Sequence, residues 1–108
     1  INRQNFVQAY INFLLNAADT MPNGGEIDVK TELIKPVNLV YITIRDTGHG
    51  FSPDVVTRLF KPFFGSKGGV NNLRLPIAEE IIKTHGGRVE FQSTEGEGST
   101  AVIKLPVV

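Results

Sequence analysis

Between positions 3 and 21 apolar residues recur at helical spacing. On a wheel of about 100° per residue, Phe6, Val7, Tyr10, Phe13, Leu14 and Met21 cover one side. Pro22-Asn23-Gly24-Gly25 ends that pattern. The period then changes to two: weakly over 26–32 (EIDVKTE), strongly over 38–45 (NLVYITIR), with Lys35-Pro36 between them, which predicts a β-hairpin. Residues 46–53 (DTGHGFSP) read as a turn-rich loop, in which Ser52-Pro53 caps and opens a short helix running to about Leu59. Residues 60–72 read as loop. A further helix is predicted from about Leu73 to Thr84, stopped by His85-Gly86-Gly87. Residues 88–93 and 99–105 predict a second hairpin around Glu95-Gly96-Glu97-Gly98. The order α-β-β-α-α-β-β places the chain in the α+β class, with helices on one face of a mostly antiparallel sheet.

The polar side of the first helix is unusual. Asn5, Gln8, Asn12, Asn16 and Asp19 fall within an arc of roughly 80°. A solvated helix face is normally written with Lys and Glu, whereas Asn and Asp are poor helix formers. Their short oxygen ligands suit a hard cation such as Mg²⁺, which shares one or two protein ligands with substrate phosphates. At this point the arc reads either as the wet side of an amphipathic helix or as a ligand set built from Asn12, Asn16 and Asp19.

Asp46 ends the strongest strand and is followed by Gly48 and Gly50. A carboxylate in a partly apolar niche needs donors. An adenine amino group is one, and Gly50 would let the chain pass close to a flat base. The competing reading is an ordinary turn in which Asp46 accepts backbone N–H groups. The stretch is neither GxxxxGK[ST] nor GxGxxG, because Pro53 stands where the last glycine belongs.

Composition narrows the classes. The 108 residues suit one domain spanning 1–108, and 41% hydrophobic with 20% charged residues fits a soluble globular core. Eleven basic and eleven acidic residues cancel, which gives no electrostatic case for a nucleic-acid or membrane partner. No cysteine is present, so disulfides and thiolate metal sites are excluded. No apolar run approaches the roughly 18 residues that cross a bilayer, and the expected location is the cytoplasm. The chain opens on Ile1, and it is expected to be a fragment of a longer protein.

Together these segments resemble the boxes of the GHKL ATPase superfamily, in the right order and over nearly the whole chain. NFLLNAADTM (12–21) resembles the N box, DTGHGFSP the G1 box, and LFKPFFGSK (59–67) the F box of bacterial sensor histidine kinases. IAEEIIKTHGGRVEFQSTEGEGSTAVIKLP (77–106) is similar to the last helix, HGG turn and terminal hairpin of those kinases. FFGSK is most similar to the nitrogen-regulation type. The resemblance implies a Bergerat-type two-layer α/β sandwich, with helices on one face of a mostly antiparallel mixed sheet. It also implies the ATP-binding catalytic domain of a two-component sensor. By motif position Asn16 would coordinate Mg²⁺, Asn12 and Asp19 would support metal and phosphates, and Asp46 would bind adenine. Gly48 and Gly50 would shape the adenine pocket. Phe64, like Phe63, would be a lid or packing residue, and Lys67 could reach a phosphate.

Related hydrolases carry Glu where Asn12 stands. An amide there is compatible with phosphoryl transfer to a neutral imidazole, which needs positioning rather than a strong base. The implied partners are ATP, upstream dimerisation helices carrying the phosphoacceptor histidine, and a response regulator. The full-length protein would be a homodimer, with this domain as the cytoplasmic portion of a membrane-anchored sensor as one arrangement the resemblance allows. Neither His49, inside the G1 turn, nor His85, at the helix stop, is expected to be the phosphoacceptor.

One segment departs from the pattern. Where the family's lid box reads GTGLGL, residues 70–75 read VNNLRL, so Val70, Asn72 and Arg74 replace all three glycines. Val70 would be strained at positive φ, Asn72 tolerates it, and the Arg74 guanidinium could bind a phosphate in place of backbone donors. Three readings stay open: a shifted working lid, weak nucleotide binding, or a pseudokinase domain serving as an interaction module. A serine kinase of the anti-sigma type shares the N and G1 boxes, but the F box matches sensor kinases better.

Overall fold

Each half of the chain sets a long helix before a hairpin, with Pro22–Gly25 and Gly86-Gly87 separating helix from hairpin. The computed structural model describes residues 3–61 and 73–106. Helix α1 (Arg3–Asp19) leads to strands β1 (Ile27–Ile34) and β2 (Leu39–Asp46). The short helix α2 (Pro53–Val56), then α3 (Arg74–Thr84), β3 (Arg88–Thr94) and β4 (Gly98–Pro106) follow. Ser52 caps α2, its Oγ accepting the Val55 N–H at 3.3 Å. Gly86, at φ +82°, takes the left-handed turn that ends α3.

The sheet order is β1-β2-β4-β3, and every neighbouring pair is antiparallel. The expectation of a mixed sheet is therefore corrected among the described residues: two hairpins join through β2 and β4, which run in opposite directions. The register aligns Ile27, Asp46, Ser99 and Ser93 in one row across the sheet.

Alternation puts Ile42, Ile44, Ala101, Ile103 and Leu105 on the face that meets the helices. Ala9, Phe13 and Ala17 of α1 and Leu75, Ala78 and Ile82 of α3 complete the core. Three of the helical contributions are alanines, which let the layers lie close. Phe60 closes one end by an edge-on contact with Phe91, ring centroids 5.7 Å apart.

Helix α1 does not sit as the wheel suggests. Val7 is 44% exposed, and Ile11 and Leu15 are also exposed, while Asn12 is only 4% exposed. The reason is tertiary: α3 packs along α1 on the side of the amide arc. Within the arc Asn12 is thus buried and Asn16 half-buried, while Asn5, Gln8 and Asp19 stay exposed.

On the outer face of the sheet, Lys104 Nζ lies 2.9 Å from Glu90 Oε2 and Arg88 Nη2 lies 3.4 Å from it. The Lys104 ammonium, hydrogen-bonded to Glu90, holds that carboxyl below the usual carboxylate range, with Arg88 adding to the effect. A depressed carboxyl stabilises the fold above its unfolded pKa, about 4.3 for Glu, and the contribution is lost as pH falls through the folded value. Glu90→Gln is therefore expected to flatten part of the acid side of a plot of Tm against pH. Superimposable acid limbs for the two proteins would show that the pair contributes nothing.

Candidate functional site

Asp46 is the last residue of β2, flanked by β1 and β4, and it is 4% exposed. The chain turns back at once, so that the Gly48 N–H donates to Asp46 Oδ1 at 2.9 Å. The Thr20 hydroxyl, just beyond α1, stands 3.3 Å from the same oxygen and 2.7 Å from the Ala17 carbonyl. Among the described residues Oδ2 has no hydrogen-bond partner, and no side-chain polar atom shut off from solvent is left unpaired. A buried residue thus presents one carboxylate oxygen that the described residues leave for an outside donor.

Two glycines make the approach possible. A Cβ on Gly48 would fall 1.9 Å from Thr20 Oγ1, so the turn could not lie against α1's end with a side chain there. Gly50 has φ +66°, and a Cβ would fall 2.2 Å from the Thr94 carbonyl oxygen. The second hairpin holds this loop. The Gly96 N–H donates to the His49 carbonyl at 2.6 Å, and the Phe51 N–H donates to Ser93 Oγ at 2.7 Å. Ser93 Oγ lies 2.9 Å from Ser99 Oγ, next to Asp46 in the row. Sequence reasoning missed Ser93 and Ser99. Their only signal was the pair of hydroxyl residues flanking the EGEG turn.

On α1, Asn12 Nδ2 donates to the Arg74 carbonyl at 3.0 Å, and Gln8 Nε2 donates to Asn12 Oδ1 at 2.8 Å. Both ends of the Asn12 amide are engaged, so it ties α1 to the first turn of α3. Asn16 is half-buried, and among the described residues no hydrogen bond engages its amide. Asp19 Oδ2 accepts from Arg74 Nη1 at 2.7 Å. Arg74 already belongs to α3 rather than to a loop, with Leu75 buried behind it and Pro76 in the first turn, where N–H groups need no helical partner. Asn12, Asn16, Asp19 and Arg74 are thus brought onto one flank, beside a cleft of about 290 Å³ lined by Gln8, Asn12, Leu15, Leu73, Arg74 and Ile77. Asp46, Gly48 and Gly50 lie beyond α1's C-terminal end, and Thr20 joins the two groups.

Phe63, Phe64, Lys67, Val70 and Asn72 lie outside the described residues. His85 Nδ1 lies 2.7 Å from the Ile81 carbonyl, a cap on α3's C-terminal end. His49 pairs with the Gly50 carbonyl and sets its ring edge-on to Phe51. Among the described residues no helix is long and apolar enough to cross a membrane.

Comparison with known proteins gives a consistent answer. The family model described as "Histidine kinase-, DNA gyrase B-, and HSP90-like ATPase" matches residues 1–108. Sensor histidine kinase ZraS of Salmonella typhimurium is 35% identical over 101 residues, which are 94% of this chain and 22% of that protein. Sporulation kinase E of Bacillus subtilis is 37% identical over 100 residues, 93% of this chain and 13% of that protein. The chain therefore spans less than a quarter of these curated relatives. Among solved structures, full-length ShkA in complex with AMPPNP superposes with a TM-score of 0.81 at 26% identity, covering 94% of this chain and 21% of that one.

Proposed function

This chain belongs to the histidine kinase-, DNA gyrase B- and HSP90-like ATPase family, and from that premise we propose that it binds Mg-ATP as the catalytic domain of a sensor histidine kinase. The observation that carries the proposal is the buried Asp46 carboxylate, whose Oδ2 has no partner among the described residues. It stands beside two glycines that admit no side chain. An adenine amino group supplies the missing donor, and the planar base needs the close backbone that Gly48 and Gly50 provide.

The phosphates would then lie along the α1 arc. The Asn16 amide is the group best suited to Mg²⁺: it is half-buried, has a hard oxygen and is unengaged among the described residues. No group of three or more His, Asp or Glu gathers among the described residues. The described residues thus offer Mg²⁺ few ligands, which suits an ion that arrives with a triphosphate and keeps its waters. When bound, Mg²⁺ neutralises phosphate charge. Asn12 acts by fixing α3's first turn against α1, and Asp19 and Arg74 supply charge around the phosphates. An amide rather than a carboxylate at position 12 supplies no base there to activate water, which favours transfer to an imidazole over hydrolysis.

The resemblance of ZraS and sporulation kinase E along this stretch supports assigning the acceptor histidine to helices of the same protein outside this domain. A homodimer and a response regulator would complete the relay. The proposed use of ATP supports a cytoplasmic location for the domain.

Asn16→Ala is expected to remove most of the Mg²⁺ dependence of ATP binding while leaving metal-free affinity little changed. Equal Mg²⁺ stimulation in wild type and variant would remove Asn16 from the metal site. Transfer itself is tested with γ-labelled ATP in a chain that includes the preceding helices. The expected product is acid-labile label on a histidine, and label found only as free phosphate would count against a kinase.

A further inference from the structure

Arg74 is held at both ends by α1. Its carbonyl accepts from Asn12 Nδ2 at 3.0 Å, and its guanidinium lies 2.7 Å from Asp19 Oδ2. The Arg74 side chain is 22% exposed and the Asp19 side chain 55%. The ion pair therefore sits at a rim, one partner mostly covered and the other open to water. Both residues lie on the flank assigned above to phosphate and Mg²⁺, and the inference rests on that assignment. The Arg74 guanidinium beside the arc is thus already paired with a carboxylate of the arc.

A triphosphate brings several negative charges and Mg²⁺ brings two positive ones. The phosphates compete with Asp19 for the guanidinium, and the metal, directly or through its waters, competes with Arg74 for the carboxylate. Each ionic group of the pair can exchange its internal partner for a ligand partner of the same sign, so no charge is stranded. A planar guanidinium suits this role because its fork pairs equally well with carboxylate and phosphate.

We infer that the Asp19–Arg74 pair is an internal counter-ion latch. In the free protein Asp19 occupies the phosphate-binding guanidinium, and Mg-nucleotide binding transfers Arg74 to the phosphates while Asp19 passes to the metal side. The latch makes metal-free nucleotide a poor ligand, because it must displace Asp19 without offering that carboxylate a cation. It thereby makes the site selective for the magnesium complex.

A latch predicts a coupling that simple ligand roles do not. Loss of the Asp19 charge eases repulsion of metal-free phosphates whatever stands at position 74, whereas a latch needs the Arg74 guanidinium for most of the gain. As a latch, Asp19→Asn tightens metal-free ATP, by about threefold given the usual strength of a part-exposed ion pair. Arg74→Gln weakens metal-free ATP roughly tenfold. Its effect grows when Asn already stands at position 19, because the guanidinium is then free for phosphate in the reference protein.

The test is calorimetric titration of this chain and the three variants with ATP, in excess EDTA and again in excess Mg²⁺. Both substitutions are close in shape, and thermal melts confirm folding. Tighter metal-free binding by Asp19→Asn that disappears in the Arg74→Gln background supports the latch, and an equal gain in both backgrounds overturns it. If wild type binds metal-free ATP and Asp19→Asn binds it equally or more weakly, the latch is overturned and the nucleotide site stands. An Arg74→Gln variant with unchanged affinity overturns it in the same way. If neither wild type nor Asp19→Asn binds ATP with or without Mg²⁺, the proposed function and the latch fall together.

Discussion

Asp46→Asn is expected to lower ATP affinity by about tenfold to a hundredfold, the worth of a hydrogen bond to a buried charged acceptor, with little change in Tm. The asymmetry follows from the two carboxylate oxygens. Gly48 N–H and the Thr20 hydroxyl both address Oδ1, so an asparagine keeps its carbonyl there and the loop keeps its acceptor. The new NH₂ takes the place of Oδ2 and meets the adenine amino group donor to donor. Guanine presents a carbonyl at the corresponding edge, so the preference for ATP over GTP falls further than ATP affinity alone. Parallel titrations with the two nucleotides measure this. An unchanged ATP-to-GTP ratio would mean that Asp46 does not read the base.

Gly50→Ala has the largest expected effect on stability. At φ +66° an alanine costs about 1–2 kcal/mol relative to glycine. The added Cβ also meets the Thr94 carbonyl oxygen at 2.2 Å, and that partner is backbone, which no rotamer change relieves. Together these should cost about 2–4 kcal/mol, lowering Tm by on the order of 10 °C or more. Because the Gly96 N–H to His49 carbonyl bond crosses the same junction, nucleotide affinity falls with stability. Gly96→Ala is the control. Its φ is +84° but nothing lies within 4 Å of the added Cβ, so it carries only the backbone term. Thermal melts of the two variants decide the matter, and equal losses would show that the contact with Thr94 is unimportant.

Much of the fold was legible because its signals are local. Period-two stretches gave both hairpins, Pro22–Gly25 and His85–Gly87 marked the ends of the long helices, and Ser52-Pro53 opened α2 as expected. The candidate site was legible where composition was out of place: amides on a helix face, and an aspartate between a strand and two glycines. What could not be read was which surface α3 would cover. The wheel makes Val7 a core residue and leaves Asn12 wet, and packing reverses both. The Asp19–Arg74 pair joins residues 55 apart in sequence, and the Ser93–Phe51 bond joins residues 42 apart. Such contacts follow from sheet order and helix placement rather than from any spacing in the chain. The helix predicted from about Leu73 already included Arg74, whose guanidinium was read as a possible phosphate ligand. What the sequence did not show is its partner in the fold, Asp19.

The central claim is that this chain holds an adenine nucleotide between the Asp46 turn and the α1 arc. Titration with AMPPNP in the presence and absence of Mg²⁺, followed by NMR of the backbone amides, tests it most directly. The expected result is saturable, Mg²⁺-enhanced binding that shifts the Gly48 and Gly50 amides together with the side-chain amide of Asn16. No binding at millimolar nucleotide, or shifts confined to the outer face of the sheet around Arg45 and Thr100, would contradict it.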